Sequence, residues 1–97
     1  MIELEILKET RRLLEEEGWI QKSYHKSGEG YCLEGAWRSA CRQTGASLEQ
    51  SVNSYQYLDD KIFRDSHTFM TRWNDELGRT KEEVLAVVVE AISLIER

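Results

Sequence analysis

"TKEEVLAVVVEAISLIE", Thr80–Glu96, is the stretch that decides the fold class. Its three consecutive valines, Val87–Val89, are residues that strands favour. Everything around them reads as helix. Thr80 is a capping residue, and Glu83 three positions later completes a T-x-x-E capping box. Val84, Leu85, Val88, Ala91, Ile92 and Ile95 recur at the spacing of one helical face. The run also outlasts a typical strand, which seldom exceeds about 10 residues. A helix is predicted from Thr80 to the C-terminal end, and an all-α chain with it.

Working backwards, "WNDELG" (Trp73–Gly78) is the corner before this helix, with Gly78 as the stop. Ile62, Phe63, Phe69, Met70, Trp73 and Leu77 form an earlier apolar stripe, with a break expected near Asp65–Ser66. Asp59, Asp60 and Lys61 read as a polar joint. Before it, Ser47 and Gln50 make a second capping box, and Leu48, Val52, Tyr55 and Leu58 are the expected inner face. Cys32, Leu33, Ala36, Trp37, Ala40 and Cys41 form another stripe. Gly35 lies inside it and should cost about 1 kcal/mol relative to alanine. Close approach of another element or a ligand would account for it.

The first helix is predicted over Ile2–Glu17, with Ile2, Ile6, Leu7, Leu13 and Leu14 inward and Gly18 as its stop. Trp19 is expected to fold back on its last turn. Arg11–Glu15 and Arg12–Glu16 are four apart and suited to pairing. Glu15, Glu16 and Glu17 crowd the negative end of the helix dipole, and Lys22, His25 or Lys26 are expected to offset them. "QKSYHKSGEG", Gln21–Gly30, reads as a mobile polar loop. The sum is an all-α, single-domain bundle of four or five short helices over residues 1–97.

Ninety-seven residues suffice for one core. Proline is absent, so helices can run unbroken. The two cysteines have neither metal-type spacing nor the pattern of a disulfide framework, and nine helical residues hold them roughly 13 Å apart. A reducing cytoplasm is the expected location. The acidic, amphipathic N-terminus is unlike a signal peptide, and no apolar run approaches the roughly 20 residues that span a bilayer. The net charge of −5 argues against bulk nucleic-acid binding. It is uneven, because residues 19–42 form a positive island between acidic flanks.

Gly18-Trp19, Cys32-x-x-Gly35-Ala36, Trp73-Asn74-Asp75 and Arg79-Thr80, followed by Val84-Leu85 and Ala91-Ile92, stand in an order that resembles a family of short bacterial and phage proteins. That family is the domain of unknown function 6197, and the resemblance covers about Gly18 to Ile92. It implies a shared fold and a bacterial or phage cytosolic setting, and no reaction, cofactor or partner. Glu34 and Trp37 stand where smaller apolar residues are expected.

Two groups of residues are candidate binding surfaces. Asn74, Asp75 and Arg79 would form a polar rim beside the Trp73 ring, suited to a nucleobase, a peptide or a partner's anchor residue. The bland alternative is a helix corner in which Arg79 pairs with Asp75 and the short polar side chains bond free backbone groups. Lys22, His25, Lys26, Arg38 and Arg42, interleaved with Tyr24, Tyr31 and Trp37, set cations beside aromatic faces. Here the alternative is a solvated face in which Arg38 pairs with Glu34. A thiol hydrolase built on Cys32 with His25 or His67 is a remote reading, since nothing in the spacing demands it. "GEGYCLEG" lacks the preceding strand and following lysine of a phosphate loop. No catalytic residue, metal or cofactor is expected. The functional expectation is a non-enzymatic cytosolic protein that occupies a partner protein, with a phage-encoded inhibitor of a host system as one form. The alternative is a receptor or sponge for a small anionic, nucleotide-type ligand. A homodimer is compatible with both.

Overall fold

The computed structural model describes all residues, Met1–Arg97. Five helices and one hairpin follow in the order α1 (Ile2–Glu16), β1 (His25–Lys26), β2 (Gly30–Tyr31), α2 (Leu33–Thr44), α3 (Leu48–Ser66), α4 (Met70–Asn74) and α5 (Lys81–Glu96). The all-α expectation holds, with the small hairpin as an addition. No helix is long and apolar enough to cross a membrane.

The deciding stretch is helical because burial outweighs valine's modest helix penalty. Val84, Val87, Val88, Ala91 and Ile92 are buried in α5. The capping box is complete: Thr80 Oγ1 accepts from the Glu83 N–H at 3.2 Å, and the Glu83 carboxylate accepts from the Thr80 N–H at 2.9 Å. Those Thr80 bonds, with Arg79 alongside, hold the Glu83 carboxyl below its ordinary pKa. A lowered folded pKa means the contribution is full at neutral pH and is lost as pH falls through that value. Thr80→Ala is expected to cost about 1 kcal/mol in urea unfolding.

α1 is the central helix, packed against α2, α5 and α3. Ile6, Leu7, Leu13 and Leu14 are buried, as is Thr10, whose hydroxyl donates to the Ile6 carbonyl at 2.7 Å. Both expected ion pairs form, Arg11–Glu15 at 3.1 Å and Arg12–Glu16 at 3.5 Å, while Glu9 lies closer to Arg12 at 2.6 Å. The acidic end of α1 meets a different cation from those expected. Lys81, on the first turn of α5, donates to the Glu15 carbonyl at 3.4 Å.

α3 runs unbroken through the predicted joint at Asp59–Lys61. Lys61 pairs with Asp65 one turn on at 2.7 Å and with Glu90 of α5 at 3.0 Å, so the charges sit on the helix surface without interrupting it. The helix ends at His67, in left-handed backbone at φ 54°. An unbroken helix changes the inner face. Ser54, Leu58 and Ile62 are buried, whereas Leu48, Val52 and Phe63 lie towards solvent. Phe69 and Leu77, expected on the core stripe, are exposed as well, while Met70 and Trp73 are in the core.

The segment read as a mobile loop is the hairpin. His25 pairs with Tyr31 and Lys26 with Gly30. Ile20 N donates to Tyr31 O, Tyr31 N to Gly18 O, and Cys32 N to Tyr24 O. Tyr24 thereby comes to rest on the first turn of α2, directly over Gly35. This is the close approach that the glycine called for.

Candidate functional site

The corner between α4 and α5 is organised by Asn74. Asn74 is the last residue of α4 and is wholly buried. Its Oδ1 accepts from Trp19 Nε1 at 2.7 Å and from the Leu33 N–H at 3.0 Å. Its Nδ2 donates to Ile20 O at 3.1 Å and to the Asp75 carboxylate at 3.0 Å. That fills the capacity of a carboxamide, two bonds accepted and two donated. The partners also dictate which way the amide points, since an indole N–H and a backbone N–H require an oxygen. Leu33 N is one of the free donors at the start of α2, and Cys32 Sγ accepts another, from Gly35, at 3.3 Å. One buried side chain thus ties α4 to the end of α1, the approach to the hairpin and the start of α2.

Asp75 and Arg79 complete the corner without touching each other. The Asp75 carboxylate accepts from the Lys22 N–H at 2.8 Å, which holds Lys22 at φ 68°. Gln21 Nε2 donates to the carbonyls of Asn74 and Glu76 at 3.1 and 2.9 Å. Arg79 turns the other way. Its Nε donates to Trp73 O at 3.0 Å, and its guanidinium pairs with Glu76 at 2.8 Å and Glu83 at 3.3 Å. It also lies 4.0 Å above the Trp73 ring. The expected Arg79–Asp75 pair is therefore absent, and the Trp73 face is covered by the chain's own arginine. Asn74, Asp75 and Arg79 hold a joint together; they do not rim an open aromatic site.

The basic island is partly engaged within the chain. Arg38 stacks over Tyr24 at 4.3 Å and pairs with Glu34 at 3.1 Å, as the solvated-face reading expects. Trp37 is half-buried, donates from Nε1 to Ser54 Oγ at 2.9 Å and meets Tyr55 edge-on at 4.7 Å. It is a packing residue between α2 and α3. His25 stacks on Tyr31 at 4.2 Å, with Nδ1 3.0 Å from Gly30 O. Lys26 and Arg42 are exposed. Arg42 lies one turn beyond Arg38, roughly 10 Å along the axis from Gly35 beneath Tyr24.

A pocket of about 260 Å³ lies beside the corner, lined by Lys22, Ser23, Tyr24, Cys32, Thr71 and Asp75. Burial pushes the Cys32 thiol pKa up, partly opposed by the Gly35 and Glu34 N–H groups and reinforced by Asp75 and Glu34 charge. That is the reverse of what activates a thiolate. Lys22 and Asp75 set one charge of each sign in its wall. A second pocket, of about 350 Å³ between the start of α1 and α3, has Glu3 and Asp60 in its lining along with Met1.

Residues 3–94 match the model of a family of unknown function, DUF6197. The chain belongs to that family. In this DUF6197 chain, four residues of the motifs that carried the resemblance, Trp19, Gly35, Asn74 and Asp75, lie in one joint or against it. Glu34 and Trp37, which depart from the expected pattern, both engage α3, through Tyr55 and Ser54. No curated protein and no solved structure matches the chain.

The surface that sequence reasoning missed is the outer side of α3. Leu48, Val52 and Phe63 are 82%, 45% and 57% exposed. With one unbroken helix over Leu48–Ser66, the spacing puts these three on one side and Leu58 and Ile62 on another. The supposed joint at Asp59–Lys61 had let all five count as core.

Proposed function

We propose that this chain is a small, non-enzymatic cytoplasmic binding protein that acts by occupying a partner protein, and that the partner seats on the outer face of α3. One observation carries the reading. Leu48 and Val52, one turn apart, and Phe63, roughly 16 Å further along the same side, are exposed apolar residues of one helix. Apolar surface rimmed by polar residues is a common mark of an interaction site. Of the candidate binding residues, Asn74, Asp75, Arg79, Arg38 and Trp37 are already engaged within the chain, which favours the same choice, while Lys26 and Arg42 stay exposed. An inhibitor encoded by a phage against a host bacterial system would work by occupation of this kind.

The test is affinity capture from a bacterial lysate with the wild-type chain and with a Val52→Ser, Phe63→Ser variant of unchanged circular dichroism. The expected result is a specific protein, identified by mass spectrometry, retained by wild type and lost by the variant. Equal retention by both would remove α3 from the reading. Capture of nothing, with a nucleotide at about 1 mM raising the melting temperature, would replace the reading with ligand binding.

A further inference from the structure

The outer face of α3 carries charge as well as apolar surface, and the inference here rests on the docking reading above. At 3.6 residues per turn, Glu49, Asp59 and Asp60 fall on the same side of the helix as Leu48, Val52 and Phe63. Asp59 lies within the apolar line. It shares a shallow groove with Asp60, Phe63, Arg64 and His67. Its Oδ1 is buried and has no hydrogen-bond partner in the chain. The charged groups that bear on it are like charges, Asp60 and Glu34, and burial followed by those two raises its pKa. Two nearby cations are engaged elsewhere: Lys61 points to Asp65 and Glu90, and Arg38 is held by Glu34. Arg64, exposed in the same groove, is the one uncommitted cation beside the two carboxylates, and it forms no ion pair with Asp59.

Covering this face with purely apolar surface would strip water from a carboxylate and give it no donor, which is unfavourable. A second copy of the chain would bring two sets of Glu49, Asp59 and Asp60 together, and like charges across an interface disfavour that pairing. An anionic lipid surface or a nucleic acid meets the same repulsion. A basic amphipathic helix meets neither objection. Its apolar ridge matches a line of anchors at helical spacing, and its cations find carboxylates.

We propose that the α3 face receives an amphipathic helix of a partner protein, with its apolar ridge over Leu48, Val52 and Phe63 and a lysine or arginine presented to Asp59. The probes are two fluorescein-labelled synthetic helices of about 18 residues, enough to span the stripe. They share one leucine ridge, flanked by lysines in one peptide and by glutamates at the same positions in the other. Anisotropy titrations use the full chain. The lysine peptide is expected to bind about tenfold more tightly than the glutamate peptide, the order of one charge-assisted contact. Asp59→Asn with Asp60→Asn should erase most of that ratio, and Val52→Ser with Phe63→Ser should abolish binding of both peptides. Equal binding of the two peptides, or a ratio that survives the asparagine variant, overturns the cationic partner and leaves docking on α3 standing. Binding of neither peptide overturns both readings. A dimer in sedimentation that is lost in the serine variant assigns the face to a second copy instead.

Discussion

Asn74→Ala is expected to cost about 3–5 kcal/mol, a large part of the roughly 5–15 kcal/mol that holds a typical domain together. The substitution leaves Trp19 Nε1, the Leu33 N–H and the Ile20 carbonyl without the partners they have now. Each buried group left unsatisfied costs about 1–3 kcal/mol, and water entering the vacated space recovers part of the sum. Urea unfolding followed by tryptophan fluorescence reads the loss. Asn74→Asp separates the two halves of the network. It keeps an acceptor for Trp19 and Leu33 but removes the donor to Ile20 and sets a buried negative charge against Asp75. Burial and Asp75 raise the folded pKa of the introduced carboxyl above its unfolded value of about 3.9, so the variant should regain stability as pH falls. A loss under about 1 kcal/mol for Asn74→Ala would mean that the corner does not depend on this side chain.

Asn74 also marks where sequence reading ran out. The caps at Ser47 and Thr80 were legible because their partners lie three residues away, within one turn of backbone. The face of α5 was legible because its period repeats. Asn74 bonds partners 41, 54 and 55 residues distant, and no local pattern announces such bonds. Its neighbours in sequence, Asp75 and Arg79, looked unoccupied for the same reason. The hairpin was missed because two residues per strand are too few to display alternation. The α3 face is hidden for a different reason. Charged Asp59, Asp60 and Lys61 read locally as a joint, and a joint there makes every apolar residue on either side countable as core. Charge on a helix surface interrupts nothing when, like Lys61, it finds partners one turn away and on the adjacent helix.

Gly35→Ala should destabilise the chain by about 1–3 kcal/mol, although the same change inside an ordinary helix stabilises by about 1 kcal/mol. Gly35 has ordinary helical backbone, so a methyl group meets no conformational objection. The objection is spatial. A Cβ there would overlap the Tyr24 carbonyl, and the obstacle is backbone that cannot rotate aside. Either the hairpin lifts from α2 or the first turn of α2 unwinds. Both strain the bond from Cys32 N to Tyr24 O and the stack of Arg38 on Tyr24. Gly45→Ala is the matched control. Gly45 caps α2 at φ 68° with open space around it, so its cost of roughly 1–2 kcal/mol arises from backbone conformation alone. The two variants lose stability for different reasons, and hydrogen exchange separates them. Gly35→Ala should speed exchange at the Cys32 and Leu33 amides, where the hairpin and Asn74 meet α2, and Gly45→Ala should leave those amides protected. Stabilisation by Gly35→Ala would mean that Tyr24 does not rest on the helix, and the pocket lined by Tyr24, Cys32 and Asp75 would lose the wall that defines it.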